Sequence, residues 1–270
     1  MTNWTEIGDR VFVTRYTFYD QNIGVVLGDE TALVVDSRIS HRQAEEIRAD
    51  LRRLTPLPVG ILVNTHGHGD HCFGNHAFRP ASIWGHERCV AMIEATAERQ
   101  RQGTIAAMPE LANELYDVVF DPPDRVFAES ATVEIDASGR SVELRHLGRG
   151  HTDNDIVILV PDADVLFAGD LLEADATPFF GDGYPIDWPT TVERLVELAT
   201  GAVIPGHGTV GDKAFAVRQM AEFREVAELA RLVDKGVIGI DAAVLRTPYP
   251  ADAAMEPLTR ALAQLRGELD

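Results

Sequence analysis

Thr65-His66-Gly67-His68-Gly69-Asp70-His71 follows the apolar run Ile61-Leu62-Val63 and precedes Cys72-Phe73-Gly74-Asn75. Four side chains that bind metals fall within six residues, and the two residues separating them are glycine. Core packing does not call for such a composition. His66 and His68 stand two apart, so in an extended segment leaving a strand they project to the same side. The glycines free the backbone to fold tightly around an ion. Asp70 and His71 are adjacent and point in different directions unless the chain turns, so the stretch suggests two neighbouring metal positions.

Outward from this stretch, Val59 to Val63 reads as a short buried strand that delivers it at a carboxyl end, where mixed α/β sheets place ligands. Upstream, Val11 to Val13, Asn22 to Leu27 and Thr31 to Val35 read as antiparallel strands, the last two joined by the turn Gly28-Asp29-Glu30. Ser40 is placed to cap a helix through Leu54, because Ala44, Ile47, Leu51 and Leu54 keep helical spacing and Pro56 and Pro58 follow. Downstream, Ser82 to Trp84 reads as a strand and His86 to Gln102 as a helix. Over residues 103–123 the periodicity weakens, with a short helix hinted at by Leu111, Leu115 and Val118. This stretch is read as an insertion that either covers the site or passes over the surface. Strands resume at Ala131 to Ile135, Val142 to Leu147, Ile156 to Val160 and Val165 to Ala168. A helix from Asp187 or Thr190 to Leu198, a strand at Val203-Ile204, a long helix from Asp212 to Lys235 and a C-terminal helical tail at 251–267 complete the chain. Two similar halves packed sheet to sheet, with helices outside, is the economical architecture for a single domain over residues 1–270.

The hydrophobic fraction of 45% and the charged fraction of 25% are ordinary for a globular chain. The 43 acidic residues against 24 basic give a formal net charge of −19. Such a chain repels phosphate backbones, and without a local basic patch it is not expected to bind nucleic acid. No apolar run approaches the roughly 20 residues of a membrane span, and Met1 to Glu6 lacks the basic and apolar regions of a signal peptide. The expectation is a cytoplasmic protein acting on a small molecule, with no membrane partner and its oligomeric state open. Cys72 and Cys89 are too few for a disulfide framework and read as small buried thiols.

Three further residues share the placement of the opening stretch. His151 sits in Gly148-Arg149-Gly150-His151-Thr152 just before a strand, and His207 sits in Pro205-Gly206-His207-Gly208 just after one. Asp170, in Phe167-Ala168-Gly169-Asp170-Leu171-Leu172, follows Val165-Leu166 with apolar neighbours on both sides. A carboxylate there is costly to bury unless it is paired or binds a metal. His41, His76, His86 and His146 read as structural or surface histidines.

These motifs, in this order, resemble the metallo-β-lactamase-fold hydrolase superfamily, from the first hairpin through Pro205-Gly206-His207-Gly208. The resemblance implies an αββα sandwich, an α+β fold with the metals at one edge. It implies that His66, His68 and His151 bind one metal, that Asp70, His71 and His207 bind a second, and that Asp170 bridges them. Two divalent ions bridged by hydroxide and bound by two aspartates and five neutral imidazoles leave one net positive charge. Such a centre lowers the pKa of bound water to about 7 and stabilises the oxyanion of a tetrahedral intermediate. The reaction implied is direct hydroxide attack on a carbonyl, with Asp70 orienting the nucleophile or accepting its proton. Imidazole with carboxylate suits zinc first, and also iron or manganese.

Past Asp170, the loop Thr177-Pro178-Phe179-Phe180-Gly181-Asp182-Gly183-Tyr184-Pro185-Ile186-Asp187-Trp188 is tethered close to the site. Phe179, Phe180, Tyr184 and Trp188 either form a substrate wall or pack in the core. A bridging aspartate resembles the family's esterases, thioesterases and lactonases, whereas many true lactamases carry cysteine or serine there. Leu171-Leu172-Glu173 offers no lysine for a drug carboxylate. The expected substrate therefore contains an ester, thioester, lactone or amide carbonyl, with β-lactam hydrolysis at most promiscuous. A mononuclear iron persulfide dioxygenase of the same fold is the alternative, and the full second ligand set argues against it.

Overall fold

The computed structural model describes residues 4–269. In chain order the N-terminal strands are β1 (Thr5–Gly8), β2 (Val11–Tyr16), β3 (Gln21–Leu27), β4 (Ala32–Val35), β5 (Val59–Val63), β6 (Ser82–His86) and β7 (Arg125–Phe127). Helix α1 (His41–Leu54) joins β4 to β5, the single turn α2 (Gly69–Cys72) follows β5, and α3 (Glu87–Ala107) and α4 (Ala112–Tyr116) separate β6 from β7. The C-terminal half contributes β8 (Ser130–Glu134), β9 (Ser141–His146), β10 (Ile156–Val160), β11 (Val165–Glu173), β12 (Ala202–His207) and β13 (Gly211–Asp212). Its helices are α5 (Trp188–Leu198), α6 (Lys213–Asp234), α7 (Ile240–Val244) and α8 (Met255–Leu265).

The first sheet runs β1-β2-β3-β4-β5-β6-β7 and the second β13-β12-β11-β10-β9-β8, both of mixed sense. Among the described residues they meet through one strand pairing, Gln21 with His207, and the Gly208 and Ile156 amides donate across the same junction to the Asp20 and Thr65 carbonyls. Strand alternation decides the rest. Leu33 and Val35 of β4 and Ile156, Ile158 and Val160 of β10 face the space between the sheets, where Phe167 and Ile204 join them. Their neighbours Ala32 and Val34 turn outward onto Ala44, Ile47 and Leu51 of α1, and Val157 and Leu166 turn outward onto α5 and α6. The result is the αββα sandwich that the alternating pattern implies.

Helix ends follow local chemistry. Ser40 accepts from the Gln43 amide to cap α1, and Asp212 accepts from the Phe215 amide to cap α6. Helix α3 continues past Gln102 to Ala107, so residues 103–107 belong to it. Leu115 and Val118 then fold back onto its Cys89, Ile93 and Ala97. Two strands also run further than the sequence suggests. β11 passes through Asp170 to Glu173, and β12 includes His207. At Gly169 the backbone takes a left-handed φ of 53° and the register with β12 shifts on either side, so a bulge re-aims Asp170 without ending the strand.

Candidate metal centre

All the sequence-selected donors gather where the two sheets meet. One group comprises His66, His68, His151 and Asp170, and the other Asp70, His71 and His207. Asp70 and His71, adjacent in sequence, reach the same group because α2 turns the chain beneath them: Asp70 Oδ2 lies 3.4 Å from His71 Nε2. Neither Gly67 nor Gly69 takes a left-handed backbone, so their value here is space. A Cβ at Gly69 would stand 2.7 Å from the Phe73 ring, and one at Gly67 3.0 Å from the Met92 sulfur.

Each imidazole is held by an oxygen on its outer nitrogen. Nδ1 of His151 donates to the Phe179 carbonyl at 3.1 Å and Nδ1 of His207 to the Tyr19 carbonyl at 2.6 Å. His71 Nδ1 donates to Asp36 Oδ2 at 2.8 Å, and His68 Nε2 to the Asp182 carboxylate at 3.0 Å. Asp36 also accepts from the Thr65 hydroxyl, which leaves the Thr65 oxygen to receive His66 Nδ1 at 3.1 Å. With the outer nitrogens occupied, each neutral ring presents a bare lone pair on the other. These face one another: His68 Nδ1 stands 3.0 Å from His66 Nε2 and 2.8 Å from His151 Nε2, and His71 Nε2 stands 3.2 Å from His207 Nε2. Lone pairs so placed repel unless a cation or proton lies between them.

Asp170 stands between the groups. Its Oδ2 is 3.4 Å from His151 Nε2 and 3.3 Å from His207 Nε2, and its Oδ1 is 3.3 Å from His71 Nε2. Yet Oδ1 is buried and, among the described residues, receives no well-aligned hydrogen bond. Gly206 permits this approach, because a Cβ there would fall 1.8 Å from Asp170 Oδ1. An orphaned buried carboxylate oxygen amid five imidazoles is a donor set for divalent cations that accept nitrogen and oxygen.

Without metal, protons take the cations' place. Burial works against charge on His207, but Asp170 and Asp70 outweigh it and raise its pKa to about 10. Burial likewise opposes His71, which Asp170, Asp70 and Asp36 hold well above the ordinary range. Burial keeps His66 well below that range and lowers His151 to about 4. Burial alone would raise Asp70, but His71 and His207 lower it to about 2.

Several supports carried no recognisable sequence signal. Asn154 accepts from the Gly67 amide at 2.9 Å, and Gln100 of α3 accepts from the Gly69 amide at 2.8 Å. Asp155 takes the Thr152 amide and hydroxyl, shaping the turn that carries His151. Gln21 donates to the Asp70 carbonyl, and Asn22 to the carbonyls of Pro205 and Gly208. His86 and His146 pair with each other, and with the Ala128 and Asp155 carbonyls, outside both donor groups. His41 and His76 bond to Val119 and Asp121.

A cleft of about 650 Å³ opens over the donors, lined by Asp70, His151, Asp170, Glu173 and Phe179 among others. Of the four loop aromatics, only Phe179 lines it, half exposed with its ring centroid 6.0 Å from that of His151. Phe180 and Trp188 are buried against Phe223 in the core behind the second sheet, and Tyr184 packs under the Arg149 guanidinium. Gly103 and Thr104 of α3 also line the cleft.

Residues 16–207 match the sequence profile of the metallo-beta-lactamase superfamily. The chain is 25% identical over 203 residues to a metallo-beta-lactamase type 2 of Bacillus sp. (strain 170), covering 73% of this chain and 70% of that one. It is 24% identical over 220 residues to the metallo-beta-lactamase type 2 of Bacteroides fragilis, covering 77% and 79%. A solved metallo-beta-lactamase from Pontibacter korlensis superposes with a TM-score of 0.67 at 22% identity, over 83% of this chain and 99% of that one. The matched segment runs from β2 to the last histidine of the donor cluster and so contains every donor described above; the chain belongs to the metallo-beta-lactamase superfamily.

Proposed function

We propose that the protein is a dinuclear metal-dependent hydrolase of ester, thioester, lactone or amide carbonyls. The observation that carries this reading is the buried, unpartnered Oδ1 of Asp170 between two donor groups whose imidazole lone pairs face each other. His66, His68 and His151 would hold one ion, Asp70, His71 and His207 the other, with Asp170 shared. Zinc is the favoured metal for this nitrogen and oxygen set. Two such ions supply, when bound, a water nucleophile at neutral pH and a positive pole for a developing oxyanion.

The chain's own residues supply orientation. Asp70 remains ionised across the physiological range and keeps part of its carboxylate open to the cleft, so it accepts a hydrogen bond from water and aims it. Phe179, Ile39 and Ala176 give the cleft an apolar wall for the acyl part of a substrate. The complete second donor group supports two ions over a single iron.

Metal analysis of protein purified without added metal tests the reading: close to two equivalents is expected, and less than one, or a single iron, overturns it. Asp170→Ala should lose metal and turnover together. Unchanged turnover would remove Asp170 from the site. A panel of esters, thioesters, lactones and amides, lactams among them, then ranks the substrate classes.

A further inference from the structure

His68 differs from the other histidines in how it is held. Its outer nitrogen meets the carboxylate of Asp182, a loop residue whose side chain is 46% exposed, whereas the carboxylate that holds His71, Asp36, is buried. An exposed loop carboxylate aims a ligand only if its own backbone is fixed. The fixing comes from α8, which lies beyond the matched family segment. Arg260 Nη2 donates to the Asp182 carbonyl and Nε to the Gly183 carbonyl, both at 2.8 Å. One helical turn on, Gln264 Oε1 accepts the Ile186 amide at 2.8 Å. Ile186 packs its side chain onto the cluster of Leu229, Ala243 and Leu258 from α6, α7 and α8. The same loop reaches His151 as well, since the Tyr184 amide donates to the Gly150 carbonyl at 2.7 Å and the Phe179 carbonyl receives His151 Nδ1. The other group is held from elsewhere, His71 by Asp36 and His207 by Tyr19.

We infer that Arg260 is a positioning residue for the first donor group, acting through the backbone and carboxylate of Asp182 to aim His68. This rests on the reading of His68 as a ligand. The planar guanidinium spans two successive carbonyls in a fixed fork, which an ammonium point charge does not reproduce. The C-terminal helices thereby set the geometry of one metal position and leave the other alone.

Cobalt(II) titration of the metal-stripped full-length chain, followed by its visible absorption, tests this. The wild-type protein should take up two equivalents. Arg260→Met should weaken one of them about tenfold, the scale of an outer-sphere support, and leave the other unchanged, with Arg260→Lys intermediate. Asp182→Asn should weaken the same equivalent, and the double variant should lose no more than Asp182→Asn alone. Unchanged binding in Arg260→Met, equal weakening of both equivalents, or additive losses would each overturn the inference. A wild-type chain that binds one equivalent overturns the dinuclear reading, while Arg260→Met still tests the inference on that ion. A wild-type chain that binds none overturns both.

Discussion

Asp36 closes β4 with a left-handed backbone, φ 64°, and buries its carboxylate against Thr65 and His71. A non-glycine residue is kept there only because its surroundings over-determine it. Asparagine tolerates that backbone, so Asp36→Asn should fold. It removes the charge that fixes the His71 tautomer, and metal affinity should fall about 10–100-fold, measured by competition with a chelator. Protonation adds a second expectation, for the metal-stripped chain. His207, raised from 6.5 to about 10, contributes stability that is complete below 6.5 and lost as pH rises through 10. Burial raises Asp155 to about 8, and burial with the Asp170 charge raises Glu173 to about 8. Both contribute below their ordinary values and lose that contribution as pH rises through 8. The signs agree, so the melting temperature of the stripped chain should fall steadily between about pH 6 and 10. Metal affinity should rise over the same range, since ions must displace protons from His71 and His207. The donors were legible in the sequence because histidines between glycines at strand ends are too specific for packing. Asp36 and Asp182 were not, because a single aspartate in a turn has an ordinary local explanation.

Among the elements, β11 shows where reading by segment fails. Gly169-Asp170 reads as a strand end, yet pairing with β12 continues to Glu173 opposite His207. Whether a glycine ends a strand or bulges it depends on the neighbouring strand, which local sequence does not contain. Gly169→Ala should test this bulge, because φ 53° penalises a side chain and its Cβ would lie 2.7 Å from the Thr65 Cβ. A loss of about 1–3 kcal/mol in urea unfolding is expected, together with metal, since Asp170 is the next residue. The loop aromatics were undecided for a related reason: Phe179 and Phe180 point to opposite sides of one backbone. The path of that backbone, bound to Glu173 through the Phe179 amide, is fixed by tertiary contacts.

At the scale of the molecule, the spacing between the sheets rests on side chains that cross it. The Phe167 ring of the second sheet occupies the space above Gly24 of the first, where a Cβ would fall 2.2 Å from it. Phe167→Ala should cost about 3–5 kcal/mol. Gly24→Ala should also destabilise, and the double variant should lose less than the sum of the two, as equilibrium unfolding would show. The layer order was readable from the repeated strand and helix order and from the family resemblance, whereas strands such as Ala32–Val35 and Ile156–Val160 are apolar at every position and do not show which face looks inward. That the sheets of the two halves join, among the described residues, at one strand pairing was not, since no local pattern reports it. The pairing has a mechanical consequence. His68 faces His151 across 83 positions of chain, and His71 faces His207 across 136, so on the proposed reading each ion ties one half of the molecule to the other. Under tension the two halves resemble covers hinged along one edge, and the metals are rivets set beside the hinge. The force needed to prise them apart would then come from two places, the apolar core between the covers and the rivets at their edge, and stripping the ions would remove only the second.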